Sequence, residues 1–119
     1  MLKKSKTLGG ASNICVVSSM TGRTPNFPIG VYGMTKASLD NMVVFLSKEL
    51  LREGIRVNGI APGLIKTDFA DPLIQSNPPP ESIGQPENIG SVVALICSPE
   101  DGAFMNGEIY HVNGGFAKM

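Results

Sequence analysis

A run of four residues with no polar face, Ile14-Cys15-Val16-Val17, constrains this chain more than any other feature. A strand that is apolar on both faces has to be covered on both faces. That is the setting of a parallel sheet sandwiched by helices, not of a half-solvated antiparallel one. Downstream the apolar period lengthens. From about Tyr32 to Leu51, the residues Leu39, Met42, Val43, Leu46 and Leu50 recur at helical spacing, with Arg52 and Gly54 as the stop. Ile55–Ala61 reads as a second strand, closed by Pro62-Gly63. Pro86 and Glu87 suit the first turn of another helix, whose buried stripe would be Ile89, Val92, Val93 and Ile96. Glu108–Val112 makes a third strand ending at Gly114-Gly115. The segment 67–85 has no period, and its Asn77-Pro78-Pro79-Pro80 predicts an extended surface loop outside helix and sheet. Strand, helix, strand, helix, strand is the order of βαβ units. The expected fold class is therefore α/β, with a parallel sheet and helical crossovers.

The charge balance narrows the function. Ten Lys+Arg against ten Asp+Glu leave zero net charge and no basic patch, which argues against nucleic acid or an anionic membrane as partner. No apolar run approaches the roughly 18 residues of a membrane span, and the basic N-terminus is not followed by a signal-peptide core. His111 is the only histidine, so no metal-ligand spacing exists; it reads as structural. Cys15 and Cys97 both lie in apolar runs and read as buried free thiols of a reducing compartment. Asn58 reads as a backbone-bonding residue of its strand.

Three features fall where an α/β enzyme keeps its site, at the C-terminal ends of parallel strands. Ser19 closes the first strand. Tyr32 and Lys36 are four apart on one face of the next helix. Pro62-Gly63-Leu64-Ile65-Lys66-Thr67 follows the second strand. A phenol titrates near pH ~10 in water, too high for acid/base work at neutrality, and an ammonium one turn away favours phenolate. Such a tyrosine can protonate a carbonyl oxygen as hydride arrives at its carbon, or accept the proton of an alcohol in reverse. A serine hydroxyl aimed at the same oxygen would hold it in place.

Val16-Val17-Ser18-Ser19, Tyr32-Gly33-Met34-Thr35-Lys36, Ile55-Arg56-Val57-Asn58, Pro62-Gly63-Leu64-Ile65-Lys66-Thr67, Gly84-Gln85-Pro86-Glu87-Asn88-Ile89 and Val112-Asn113-Gly114-Gly115 together resemble the classical short-chain dehydrogenase/reductase family over nearly the whole chain. Within that family the chain is most similar to the NADP-dependent peroxisomal carbonyl reductases acting on retinal and other ketones and aldehydes. The resemblance implies the C-terminal half of a Rossmann-like, doubly wound parallel sheet. It implies hydride transfer between NADP (or NAD) and a small carbonyl or alcohol substrate. Tyr32 would be the acid/base, Lys36 its modulator and ribose ligand, and Ser19 the residue positioning the carbonyl. Pro62, Gly63, Ile65 and Thr67 would hold the nicotinamide, Ile65 through its backbone and Thr67 through its hydroxyl.

The same resemblance marks what residues 1–119 lack: the glycine-rich pyrophosphate loop, the residue choosing NAD or NADP, and the family's catalytic asparagine. Gly9-Gly10 and Gly114-Gly115 are not substitutes, since neither lies between a strand and a following helix. The 67–84 loop, which closes over substrate in the family, looks shortened. The expectation is a partial domain (a fragment, a truncated product or a partial gene model) with weak or no turnover and an unpaired apolar edge on its first strand. The alternative function is non-catalytic: a truncated paralogue or isoform that joins full-length relatives through the long helix and the C-terminal strand and helix region; the expected assembly is that association or a homo-oligomer. Ala117-Lys118-Met119 fits a peroxisomal C-terminal address, so peroxisome and cytoplasm are the expected locations.

Overall fold

The structure, a computed structural model, describes residues 12–116. Gly9-Gly10, the basic N-terminus and the terminal Ala117-Lys118-Met119 lie outside the described residues. In chain order the elements are β1 (Asn13–Val17), α1 (Gly30–Glu49), β2 (Arg56–Pro62), β3 (Leu64–Ile65), α2 (Asp71–Ile74), β4 (Ile83–Gly84), α3 (Pro86–Cys97) and β5 (Ile109–Val112).

The expected α/β architecture is present. The three main strands form one parallel sheet in the order β1-β2-β5, with Ile14 opposite Val57, Val17 opposite Ile60 and Pro62 opposite Val112. The central strand takes the deepest position, and every residue from Arg56 to Ala61 is buried. Residues one apart point to opposite faces. Val57, Gly59 and Ala61 therefore share a face, and Gly59 sets that face beneath Val43 of α1. Arg56, Asn58 and Ile60 face the other way, towards α3, whose Ile96 is fully buried. Val43, Val57, Ile60, Ala61 and Ile96 are the centre of the core.

The element ends moved for identifiable reasons. The long helix starts at Gly30 and stops its α winding at Glu49; a 3₁₀ turn at Leu51–Glu53 then runs to Gly54, whose φ of 68° is left-handed. Glycine still ends the helical path, after one tightened turn. The helix α3 begins at Pro86 as expected, with Asn88 Oδ1 accepting from the Gln85 N–H at 2.7 Å.

Segment 67–85 is not the featureless loop its prolines suggested. Leu64–Ile65 and Ile83–Gly84 pair in parallel, α2 lies between them, and Pro80 opens a 3₁₀ turn with Ser82. A proline at the first position of such a turn gives up an N–H that has no partner there anyway. Two further expectations need correction. Cys15 and Cys97 are free thiols but only half-buried, because β1 is a sheet edge among the described residues; Val17 there is 53% exposed. Met42 is 38% exposed, and Ile89, Val92 and Val93 are half-buried, since three strands cover only part of each helix.

Two asparagines clip the sheet to its surroundings. Asn58, with no exposed surface, donates to Met105 O at 2.7 Å and accepts from the Glu108 N–H at 3.2 Å. It bonds backbone, as expected, but that of the approach to β5 rather than its own strand. Asn106 accepts from the Val57 N–H at 2.8 Å and donates to Ser47 O at 3.3 Å, joining β2 to α1. No helix of the described residues is long and apolar enough to cross a membrane.

Candidate active site

The catalytic candidates meet where β1 ends and α1 begins. Ser18 continues the β1 ladder by donating its N–H to Ile60 O at 2.7 Å, and its hydroxyl donates to Lys36 O at 3.1 Å. Lys36 returns the tie: its ammonium donates to Val17 O at 3.2 Å. Strand end and helix start are thereby fixed to each other on both sides of Lys36.

That fixing aims the ammonium. Lys36 Nζ lies 5.4 Å from the centroid of the Tyr32 ring, within the range where a cation is attracted to an aromatic face. The spacing of four residues puts both side chains on one helix face, which brings the ammonium to the ring. Tyr32 is half-buried in the first turn of α1.

Ser19 caps the 3₁₀ turn Met20–Gly22, its Oγ accepting from the Thr21 N–H at 3.3 Å and the Thr21 hydroxyl at 2.9 Å. Having accepted from Thr21, the Ser19 hydroxyl keeps its own proton to donate outward. Thr21 is buried, and its carbonyl would lie 2.8 Å from a Cβ at position 33, so the turn bearing Ser19 presses on α1 beside Tyr32. Ser19 and Tyr32 share this end of the sheet, without a hydrogen bond between them among the described residues.

The expected nicotinamide residues line the neighbouring strand end. Pro62 closes β2, and the Gly63 N–H donates to Val112 O at 2.9 Å. A Cβ on Gly63 would come within 2.8 Å of Asn113 Cα, so only glycine lets this turn meet the one after β5. Ile65 is held by its pairing with Gly84, and its carbonyl accepts from the exposed Thr67 hydroxyl at 3.4 Å.

An ammonium, a phenol, a hydroxyl and strand-end peptide groups fit the nicotinamide–ribose end of a dinucleotide. For the pyrophosphate end, no glycine-rich turn between a strand and a helix occurs among the described residues. A separate groove of about 710 Å³ lies between α1 and β5, lined by Arg23, Asp40, Lys48, Glu108 and His111 among others. Its charges are mixed, and none of Ser19, Tyr32, Lys36, Pro62, Gly63, Ile65 or Thr67 lines it.

One residue beside the site escaped the sequence reading. Phe69 follows Thr67 by two, and its ring centroid is 6.2 Å from that of Tyr32 at an interplanar angle of 40°. Nothing periodic marks it. The available clue was scarcity, since the chain has five Phe, two Tyr and no Trp. Elsewhere, burial pushes the Cys15 thiol up from its ordinary value, with the Cys97 thiol adding to the shift. Burial likewise raises the Tyr110 phenol, helped by Glu108 and opposed by Arg56.

Comparison with known proteins agrees with this architecture. A family model described as enoyl-(acyl carrier protein) reductase matches residues 2–117. The chain belongs to the short-chain dehydrogenase/reductase family of oxidoreductases. It is 34% identical over 115 residues to the dehydrogenase/reductase SDR family member 4 of Oryctolagus cuniculus, covering 89% of this chain and 44% of the relative. It thus spans less than half the length of such curated relatives. A short-chain dehydrogenase/reductase from Brucella melitensis, described as a glucose/ribitol dehydrogenase, superposes with a TM-score of 0.80 at 33% identity, over 88% of this chain and 45% of that one. ElxO with NADP bound (TM-score 0.74, 26% identity, 90% and 47% covered) and 4-hydroxyisoleucine dehydrogenase with NADH (0.78, 25%, 93% and 48%) share the fold.

Proposed function

We propose that this chain carries the proton-transfer and nicotinamide-end part of an NAD(P)(H)-dependent carbonyl/alcohol oxidoreductase, a partial domain acting in the manner of the carbonyl reductases. The observation that carries the proposal is the Lys36 ammonium, tied to the last carbonyl of β1 while poised over the Tyr32 ring. A bound nicotinamide supplies the hydride. Tyr32 gives its phenolic proton to the carbonyl oxygen, so that C=O plus hydride plus proton becomes an alcohol. The Ser19 hydroxyl would hold that oxygen, Lys36 would bind the ribose, and Pro62, Gly63, Ile65 and Thr67 would hold the nicotinamide end. Relatives with NADP and with NADH bound support either coenzyme. The test is to incubate the chain with cyclohexanone and C4-deuterated NADPH or NADH of each stereochemistry. Deuterated cyclohexanol from one stereoisomer only is the expected product. Absence of deuterium in any alcohol refutes the assignment.

A second reading is favoured by a specific observation. Val31, Met34 and Phe45, 77%, 71% and 60% exposed, fall on one side of α1 with Met42. A stripe of that kind covers itself by association, either with a second copy or with a full-length relative. Sedimentation equilibrium should show self-association that Phe45→Glu abolishes; a monomer at all concentrations excludes the homo-oligomer.

A further inference from the structure

We infer that Cys15 and Cys97 form a redox-active pair, a site of thiol–disulfide exchange whose oxidised form staples the edge strand β1 to the end of α3. The inference is independent of the oxidoreductase reading, which gives neither thiol a task.

The two residues are far apart in sequence, and the fold brings them to one place. Asn13 lies opposite Arg56 and Cys15 opposite Asn58 in the parallel β1–β2 pair, so all four side chains share a face of the sheet. That face is the one under α3. The Arg56 guanidinium donates to Ile96 O at 2.9 Å and to Ser98 O at 3.3 Å, and the Asn13 side-chain amide donates to Cys97 O at 3.4 Å. The C-terminal end of α3 therefore lies over the start of β1, with Cys97 beside Asn13. Cys15 is the next residue of β1 on that face.

The direction of the helix then aims the Cys97 thiol. A crossover between the parallel strands β2 and β5 has to run back against them, as α3 does from Pro86 to Cys97. Helical side chains lean towards the helix N-terminus. For Cys97 that direction runs along β1, from Asn13 towards Cys15. The Cys15 thiol carries the mark of this approach: burial holds it above its ordinary value, and the Cys97 thiol adds to the rise. Both thiols are free and half-buried, so a small reagent reaches them. Two sulfurs without a third ligand make no metal site, and no cluster of three ligands occurs among the described residues.

Closing the bond needs an oxidant, and a small-molecule disulfide such as oxidised glutathione supplies it. The Cys97 thiolate attacks one glutathione sulfur and expels the other half as glutathione thiolate. The Cys15 thiol then gives its proton to solvent and attacks Cys97 Sγ, releasing the second glutathione. Two thiols become one disulfide, and one oxidised glutathione becomes two reduced ones. The bond ties down a strand whose outer edge is open among the described residues.

The test incubates the full chain with oxidised and reduced glutathione, quenches with acid and measures intact mass. The expected product is a monomer lighter by two hydrogens, with the peptides bearing Cys15 and Cys97 joined and dithiothreitol restoring the starting mass. Its circular dichroism should match that of the reduced chain. At one glutathione ratio, the oxidised-to-reduced ratio should be about 10-fold or more higher in the native chain than in concentrated urea, because a bond that fits the fold stabilises it. Cys15→Ser and Cys97→Ser should each block closure and keep a single glutathione on the remaining thiol; Cys15→Ala serves where the serine disturbs the strand. Equal ratios in buffer and urea overturn the inference, since position in the fold then contributes nothing. A disulfide-linked dimer, or a native chain holding glutathione on either thiol without closing, overturns it as well.

Discussion

Arg56→Met is expected to lower stability by about 3–5 kcal/mol, the cost of leaving several buried carbonyls without their donors. Arg56 has no exposed surface. Its guanidinium is held by carbonyls: Nη1 donates to Ile96 O at 2.9 Å and Met105 O at 3.2 Å, and Nη2 donates to Ser98 O at 3.3 Å. Ile96 and Ser98 belong to the C-terminal end of α3, where unsatisfied carbonyls and the helix dipole both favour a cation. Methionine fills much of the same volume, so the cost arises mainly from three acceptors stripped of donors, each about 1–3 kcal/mol if water cannot reach it. The arginine Nε, buried without a partner, offsets part of this because its desolvation cost disappears with it. A domain of this size has about 5–15 kcal/mol in total. The urea midpoint should therefore drop by about 2 M, followed by far-UV circular dichroism because the chain has no tryptophan. Arg56→Lys, offering one compact donor group in place of a fork, should recover part of the loss. A shift below about 1 kcal/mol would mean that water replaces the guanidinium, and that α3 is not anchored through it.

Arg56 also shows what could and could not be read beforehand. The pattern placed it in a strand, and a charged strand residue ordinarily marks a solvent face. Its burial depends on where α3 ends above β2, 40 residues later in sequence, which no local period encodes. The same limit hid β3 and β4: two-residue strands have no alternation to detect, and their pairing is specified by the segment folding back through α2. What was legible is what period and spacing determine. The both-faces-apolar run gave β1, the 3.6-residue stripe gave α1, and Pro86 marked the start of α3. A spacing of four from Tyr32 to Lys36 sufficed to put ammonium and ring together. Ser19 was legible as a strand-end residue, but its bond to Thr21 was not, because a 3₁₀ turn of three residues leaves no mark in the sequence.

Tyr32→Phe should abolish carbonyl reduction measured by deuterium transfer, a fall of about 10²–10⁴-fold, the usual worth of a positioned acid. The substitution removes one oxygen from a half-buried side chain and leaves ring, helix and neighbours in place. Thermal stability should therefore move by no more than about 0.5 kcal/mol. Lys36→Met sharpens the assignment. It keeps the stem of the side chain but deletes the ammonium, and with it the bond to Val17 O and the charge over the Tyr32 ring. That bond is solvent-exposed, so its loss should cost little stability, whereas activity should fall by a comparable factor to Tyr32→Phe. The double variant then discriminates between two arrangements. If the ammonium acts through the phenol, Tyr32→Phe/Lys36→Met should be scarcely slower than either single variant, because groups that work as a unit are not additive when removed. Multiplying losses would instead place Lys36 on an independent task, holding ribose without reference to the tyrosine. A Lys36→Met chain as active as the unmodified one would remove the observation on which the proposed chemistry stands.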